Sequence, residues 1–325
     1  MDRRRFLRAL MGSGVLAAPL AAAAQQPGRV YRVGILASYP VEASPPIAAP
    51  LRDLGYVEGR NILFEIRSAN DLPERLPALA AELVRLKGDV IVTGGDREVA
   101  VAKQATTAIP IVMAPSGDPV GAGFVASLAR PGGNITGVSF MSPDLSAKQL
   151  EVLRDAVPNL SRIAVLWNAS NPVKVIDFDQ TRRAALALRL KVSSIEVRAL
   201  GDLETAFAAI TRVSPDALLI LIDQVLSHVS RPRIAQFAIQ RRIPSIAGNS
   251  NYAAAGGLIG YGPTSVELNQ VVATQVARIL EGANPAELPI AQPSRLELSL
   301  NLKTAKALGL TIPASLLQRA DQVIE

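Results

Sequence analysis

"YRVGILAS" at residues 31–38 and "SRIAVLWN" at residues 161–168 are the same kind of segment met twice, an apolar run with arginine in second place and a small polar residue at its end. Two further pairs follow in the same order. "GDVIVTGGD" from Gly88 parallels "PDALLILID" from Pro215, and "IPIVMAPSG" from Ile109 parallels "IPSIAGNSN" from Ile243, so that the three offsets are 130, 127 and 134 residues. A nearly constant offset is the mark of a duplicated unit. The runs are too uniformly apolar for strands with one wet face. They fit strands buried on both sides, and the helical stretches between them make βαβ units around a parallel sheet.

Strands are accordingly expected near 31–37, 61–67, 89–93, 109–114 and 135–140, then again near 162–167, 191–197, 217–222, 244–247 and 258–261. Between them, "LPERLPALAAELVRLKG" places Leu76, Leu79, Leu83 and Leu86 on one helical face, with Gly88 as a stop. "FDQTRRAALALRLK" and "LETAFAAITRV" read as helices of the second series. The fold class is α/β: two Rossmann-like lobes with parallel sheets.

Composition narrows the chemistry. The chain opens "MDRRRFLRALMGSGVLAAPLAAAAQQ", in which Arg3-Arg4-Arg5-Phe6-Leu7 fits the twin-arginine export pattern and Ala22-Ala23-Ala24 fits a cleavage site. Residues 1–24 are thus expected to be a removable signal peptide, cut near Ala24; an ordinary Sec signal shares the basic start but not the full pattern. Loss of its four Arg and one Asp takes the formal charge from +6 to +3. That is too mild, and too unclustered, for a nucleic-acid partner. Cysteine is absent, which excludes disulfides, thiolate chemistry and a lipidated anchor, and the one histidine, His228, excludes a multi-histidine metal site. His228 reads as an exposed residue at a helix start without a chemical role.

Ligands of open parallel sheets sit at the carboxyl ends of the strands. The first series ends in Ser38-Tyr39, Thr93-Gly94-Gly95-Asp96 and Ser116-Gly117-Asp118; the second ends in Asn168-Ala169-Ser170-Asn171, Asp223-Gln224 and Gly248-Asn249-Ser250-Asn251-Tyr252. Hydroxyls and freed backbone N–H groups on one rim can hold a carboxylate, and Asp223 on the other can face an ammonium. Acid pairs drawn from Asp96, Asp118 and Asp223 leave glycosidase-like chemistry open. No nucleophile elbow, Walker loop or zincin helix occurs.

One motif points elsewhere. Gly121-Ala122-Gly123-Phe124-Val125-Ala126 has dinucleotide-loop spacing. It lies seven residues beyond the end of its strand, is followed by a helix expected only over 124–130, and lacks a ribose-binding acid in place. A strand-to-helix turn is the more natural role, with a Tat-exported Rossmann-type oxidoreductase kept as an alternative.

"LRDLGYVEGRNILFE", "LPALAAELV", "SGDPVGAGFVASLARPGGNITGVS", "AAGGLIGYGP" and "LELSLNLKTAKALGLTIPASLLQRADQVIE", in this order, resemble the ABC transporter substrate-binding family whose best-known members bind tryptophan or tyrosine. The resemblance implies a type I periplasmic binding protein fold with a three-strand hinge, closing on a small ligand such as an amino acid. It implies a periplasmic monomer without cofactor or catalysis, delivering its ligand to an ABC permease in the inner membrane; a receptor serving a sensor kinase is the other option. Residues 30–139 with 263–290 would form the N-terminal lobe and 140–262 with 291–325 the C-terminal lobe. By position, the ligand-binding residues would be Ser38, Tyr39, Thr93, Gly94, Ser116, Asp118, Asn168, Asp223, Asn249 and Tyr252, with Phe140 a further candidate for stacking. Two departures bear on the ligand. Pro45, Pro46 and Pro50 should shorten the first helix, and Asn249-Ser250-Asn251-Tyr252 stands where relatives often carry Arg or Glu.

Overall fold

The computed structural model describes residues 29–41, 44–140, 142–224, 226 and 230–325. The expected signal peptide and His228 lie outside the described residues. The first half runs β1 (Tyr31–Ala37), α1 (Ala48–Asp53), β2 (Ile62–Ser68), α2 (Leu76–Arg85), β3 (Val90–Thr93), α3 (Asp96–Ala105), β4 (Ile111–Ser116) and β5 (Ile135–Ser139). The second runs α4 (Ser142–Ala156), β6 (Arg162–Asn168), α5 (Pro172–Ala187), β7 (Lys191–Val197), α6 (Leu203–Val213), β8 (Ala217–Ile220), α7 (Arg231–Gln240), β9 (Ser245–Ala247), α8 (Asn251–Ala254) and β10 (Ile259–Gly262). The chain ends with α9 (Ser265–Leu280), β11 (Glu297–Asn301), α10 (Leu302–Leu308), α11 (Ala314–Arg319) and β12 (Gln322–Ile324).

The duplication is visible in the sheets. One has the order β2-β1-β3-β4-β5; the other contains β7-β6-β8-β9-β10, the same winding, extended by β11 and β12. All pairings are parallel except β10 with β11. The central strands β3 and β8 are buried at every position, as uniform apolar runs require when helices cover both faces.

On the first sheet, α2 and α3 cover one face through Leu76, Leu79, Leu83, Val99 and Ala102. The other face is covered by α1 and by α9, whose Leu268, Val272, Ala273 and Val276 pack on Val33, Ile35, Val90 and Val92. Thus α9, far along the chain, belongs to the first lobe. On the second sheet, Leu150, Leu153 and Leu316 from α4 and α11 cover one face, and Phe207, Ile234 and Phe237 from α6 and α7 the other. The chain passes between the lobes three times: after β5, between β10 and α9, and before β11. At the last pass Ala291 pairs with the end of β5, its N–H donating to Gly137 and its carbonyl accepting from Ser139, both at 2.8–2.9 Å. Gly137 is obligatory there: its φ is +138°, and a Cβ would lie 2.3 Å from the Met113 carbonyl oxygen.

Each lobe closes its strand starts with the same device. Asp89, just before β3, accepts from the Arg32 N–H at 2.7 Å; Asp216, just before β8, accepts from the Arg162 N–H at 2.8 Å and from the Ser161 hydroxyl at 2.9 Å. Burial would raise the Asp216 carboxyl, but the bonds from Arg162 and Ser161 outweigh it and hold it at about 2. A carboxylate so depressed stabilises the fold above its ordinary value of 3.8, and that contribution is lost as pH falls towards 2. Asp216→Asn should therefore lower the melting temperature at pH 7 by about 2–4 °C, equivalent to about 1 kcal/mol. Thermal scans of both proteins should converge as pH drops from 3.8 towards 2.

Candidate functional site

Strand ends of both sheets surround a cavity of about 150 Å³. Tyr39 follows β1, Thr93 ends β3 with Gly94, Gly95 and Asp96 after it, and Gly117 follows β4; from the other lobe come Asn171 after β6, Asp223 and Gln224 after β8, and Asn249 after β9. In both sheets β1/β3 and β6/β8 flank the point where strand order reverses, which is where a doubly wound sheet leaves a crevice.

The lobes touch directly across this crevice. The Asn171 side chain caps α5 by accepting from the Val173 N–H at 3.0 Å. Its amide donates to Asp223 at 3.0 Å in its own lobe and to Asp96 at 3.3 Å in the other. Arg97 donates to the Ser170 hydroxyl, and Gln224 donates to the Gly94 carbonyl. Gly95 eases this approach, since a Cβ there would lie 3.1 Å from the Gln224 side chain of the other lobe; a Cβ on Gly94 would lie as close to Tyr39 in its own lobe.

Behind these contacts lies a buried charge cluster. Lys174, 3% exposed, binds Asp177 at 2.5 Å and lies 4.0 Å from Asp96. Burial works to lower the lysine, but the charges of Asp177 and Asp96 prevail, so it is raised and stays protonated. Burial dominates at Asp96 and lifts its carboxyl, with Lys174 and the bonds from Ser116 and Asn171 pulling the other way. Glu98 is lifted by burial too, against donation from Ser38. Tyr39 is pushed up to about 12, first by burial and then by the charge of Glu98. The Thr93 hydroxyl and the Gln224 side-chain oxygen are buried without a hydrogen-bond partner.

The cavity also has an apolar arm inside the first lobe. Ile35, Val92, Ala114 and Phe140 form one wall, Leu268 and Val272 of α9 another, and Pro45 and Ile47 a third. As the prolines require, α1 is short, six residues beginning at Ala48.

Of the residues expected at the ligand, Tyr39, Thr93, Gly94, Asp223 and Asn249 line the cavity, as does Phe140. Three others stand one step behind it. Ser38 donates backbone N–H and hydroxyl to Glu98, Ser116 donates to Asp96 at 2.5 Å, and Asn168 donates to Asp223 at 2.9 Å. Asp118 is turned away: it accepts from the Gly121 N–H at 2.8 Å and closes its own turn. The reading of Tyr252 as a cleft residue is corrected. Its ring is 2% exposed in the second core, and its hydroxyl bonds Ser245 at 2.9 Å. The helix expected over 124–130 is a series of turns, and with no helix after Gly121–Ala126 there is no N-terminus to receive a pyrophosphate.

Lys174, Arg231, Ser265 and Asn269 line the cavity and were not anticipated. The Asn171-Pro172-x-Lys174 spacing of a capped helix was a usable signal for the first. Ser265 and Asn269 gave none, because nothing local says which lobe α9 joins. Among the described residues, no group of His, Asp or Glu is arranged to hold a metal, and no helix is long and apolar enough to cross a membrane.

Replacing Lys174 by methionine leaves Asp177 and Asp96 buried without their cation and should cost about 3–5 kcal/mol. Equilibrium denaturation in urea measures it; unchanged stability would show that the buried cluster does not depend on its cation.

Comparison with known proteins gives a consistent answer. The family profile described as "ABC transporter substrate binding protein" matches residues 42–324. A tyrosine-binding protein of Clostridioides difficile (strain R20291) is 29% identical over 80% of this chain and 74% of its own. The complex of an ABC domain with L-Trp from Streptococcus pneumonia superposes with a TM-score of 0.83 at 24% identity, covering 91% of this chain and all of the other. The ligand-free, open structure of a substrate-binding protein with adhesive properties from Clostridium difficile gives 0.63 at 25% identity, over 91% of this chain and 99% of that one.

Proposed function

The chain belongs to the ABC transporter substrate binding protein family, and from that premise we propose that it is an extracytoplasmic receptor for a small amino-acid-like ligand. It holds the ligand between its lobes without altering it and hands it to a membrane permease. The observation that carries this reading is the cavity lined by both sets of strand ends and closed by direct bonds between the lobes. A ligand bridging both rims favours the closed arrangement over the open one, and a permease can read that difference. The higher TM-score against the L-Trp complex than against the open, ligand-free relative, at nearly equal identity, supports taking this conformation as closed.

Within the cavity, polar groups cluster at the meeting of the lobes and apolar ones fill the arm towards α9. An α-amino acid with a large apolar or aromatic side chain matches that division, and the tyrosine-binding relative agrees with it. The twin-arginine-like start at residues 3–7 supports the periplasm as the compartment of such a receptor, and lining of the cavity by one chain supports a monomer.

Titration calorimetry and thermal-shift measurements with a panel of amino acids and related acids test the reading. A binding ligand should raise the melting temperature and shrink the radius of gyration in X-ray scattering. A broad panel without effect counts against a receptor. If Asp223 faces the ligand ammonium, Asp223→Ala should cost about 2–5 kcal/mol, roughly 30-fold to several-thousand-fold in affinity. Unchanged affinity removes that assignment.

A further inference from the structure

The charges around the cavity are not evenly settled. Lys174 is matched by Asp177 at 2.5 Å and Asp96 at 4.0 Å. Each acid at the rim already has donors: Asp96 takes Ser116 and Asn171, and Asp223 takes Asn168 and Asn171. Arg231 differs. It is the first residue of α7, is half-buried and lines the cavity, yet among the described residues no carboxylate lies within ion-pair distance of it. Burial alone acts on its guanidinium, and acts to lower it. A partly desolvated cation without a counter-ion costs free energy until an anion arrives.

We propose that Arg231 selects the ligand by its carboxylate, pairing with that group from the second lobe while the apolar body of the ligand lies in the first-lobe arm. This rests on the receptor reading and adds to it the residue that separates acids from amides, alcohols and sugars. A planar guanidinium fork matches a carboxylate with two parallel bonds. Among the described lining residues Arg231 is the one cation left unmatched, and Asp96 and Asp223 line the same cavity, so a monoanion fits where a phosphate dianion would be repelled. The unpartnered Thr93 hydroxyl on the facing rim is a further donor that awaits the ligand.

The test compares acids with their own primary amides: L-tryptophan, L-tyrosine and L-leucine against L-tryptophanamide, L-tyrosinamide and L-leucinamide. Glucose serves as a neutral control, and calorimetry is run on wild type, Arg231→Met and Arg231→Lys. Wild type should bind at least one acid about 30-fold or more tighter than its amide. Arg231→Met should lose that preference by weakening the acid and leaving the amide unchanged, and Arg231→Lys should restore part of it. Equal losses for acid and amide would mean a structural role and overturn the proposal. So would an amide or glucose bound as tightly as the acids by wild type, an outcome that needs no variant and leaves the receptor reading standing. If none of the seven compounds binds, the amino-acid receptor reading fails, and this inference with it.

Discussion

Asp96 is the group on which the contact between the lobes turns. It opens α3 in the first lobe, is 5% exposed, and meets its donors from both sides: Ser116 beside it, and Asn171 with Lys174 across the crevice. A carboxylate buried this deeply is tolerable only when hydrogen-bonded and matched by charge, and two of the three groups that match it belong to the other lobe. If the lobes part, Asp96 and Lys174 each regain water but lose each other. The interlobe contact is therefore a compensated exchange and not a large net stabilisation. Such near-balance suits a hinge that one small ligand must be able to tip.

The same economy explains the second row of polar residues. Ser38, Ser116 and Asn168 do not line the cavity; they fix Glu98, Asp96 and Asp223 by donating hydrogen bonds to their carboxylates. A buried side chain keeps one geometry only when its rotamer is held, and here holder and held come from neighbouring strand ends of one sheet. The apolar arm has a different origin. It opens where three prolines keep α1 to six residues and where α9 crosses from the far side of the hinge.

Legibility followed locality. The strands β1, β6 and β7, the buried face of α2 and the span of α6 could be read from periodicity and turn residues, because each is decided within a dozen neighbouring positions. The duplication was legible for the same reason. The segment after β4 was misread as a short helix because Phe124, Val125 and Leu128 have helical spacing, while Asp118 and the glycines commit the backbone to turns. Tyr252 was misplaced because a tyrosine after a strand end suits a cleft and a core equally until its hydroxyl finds Ser245.

The amino-acid order by itself determined two similarly wound α/β lobes, the sides on which their strands end, and a polar rim on each, since these follow from local apolar runs and from the handedness of βαβ units. Tertiary structure alone decided which rim residues reach the cavity, that Asp96 meets Asn171 and Lys174 across the crevice, that Arg231 has no carboxylate beside it among the described residues, and that α9 lines the first lobe. Burial and charge pairing depend on groups more than fifty residues apart brought together by the winding of the sheets, and no local pattern encodes which distant partner a given face will meet.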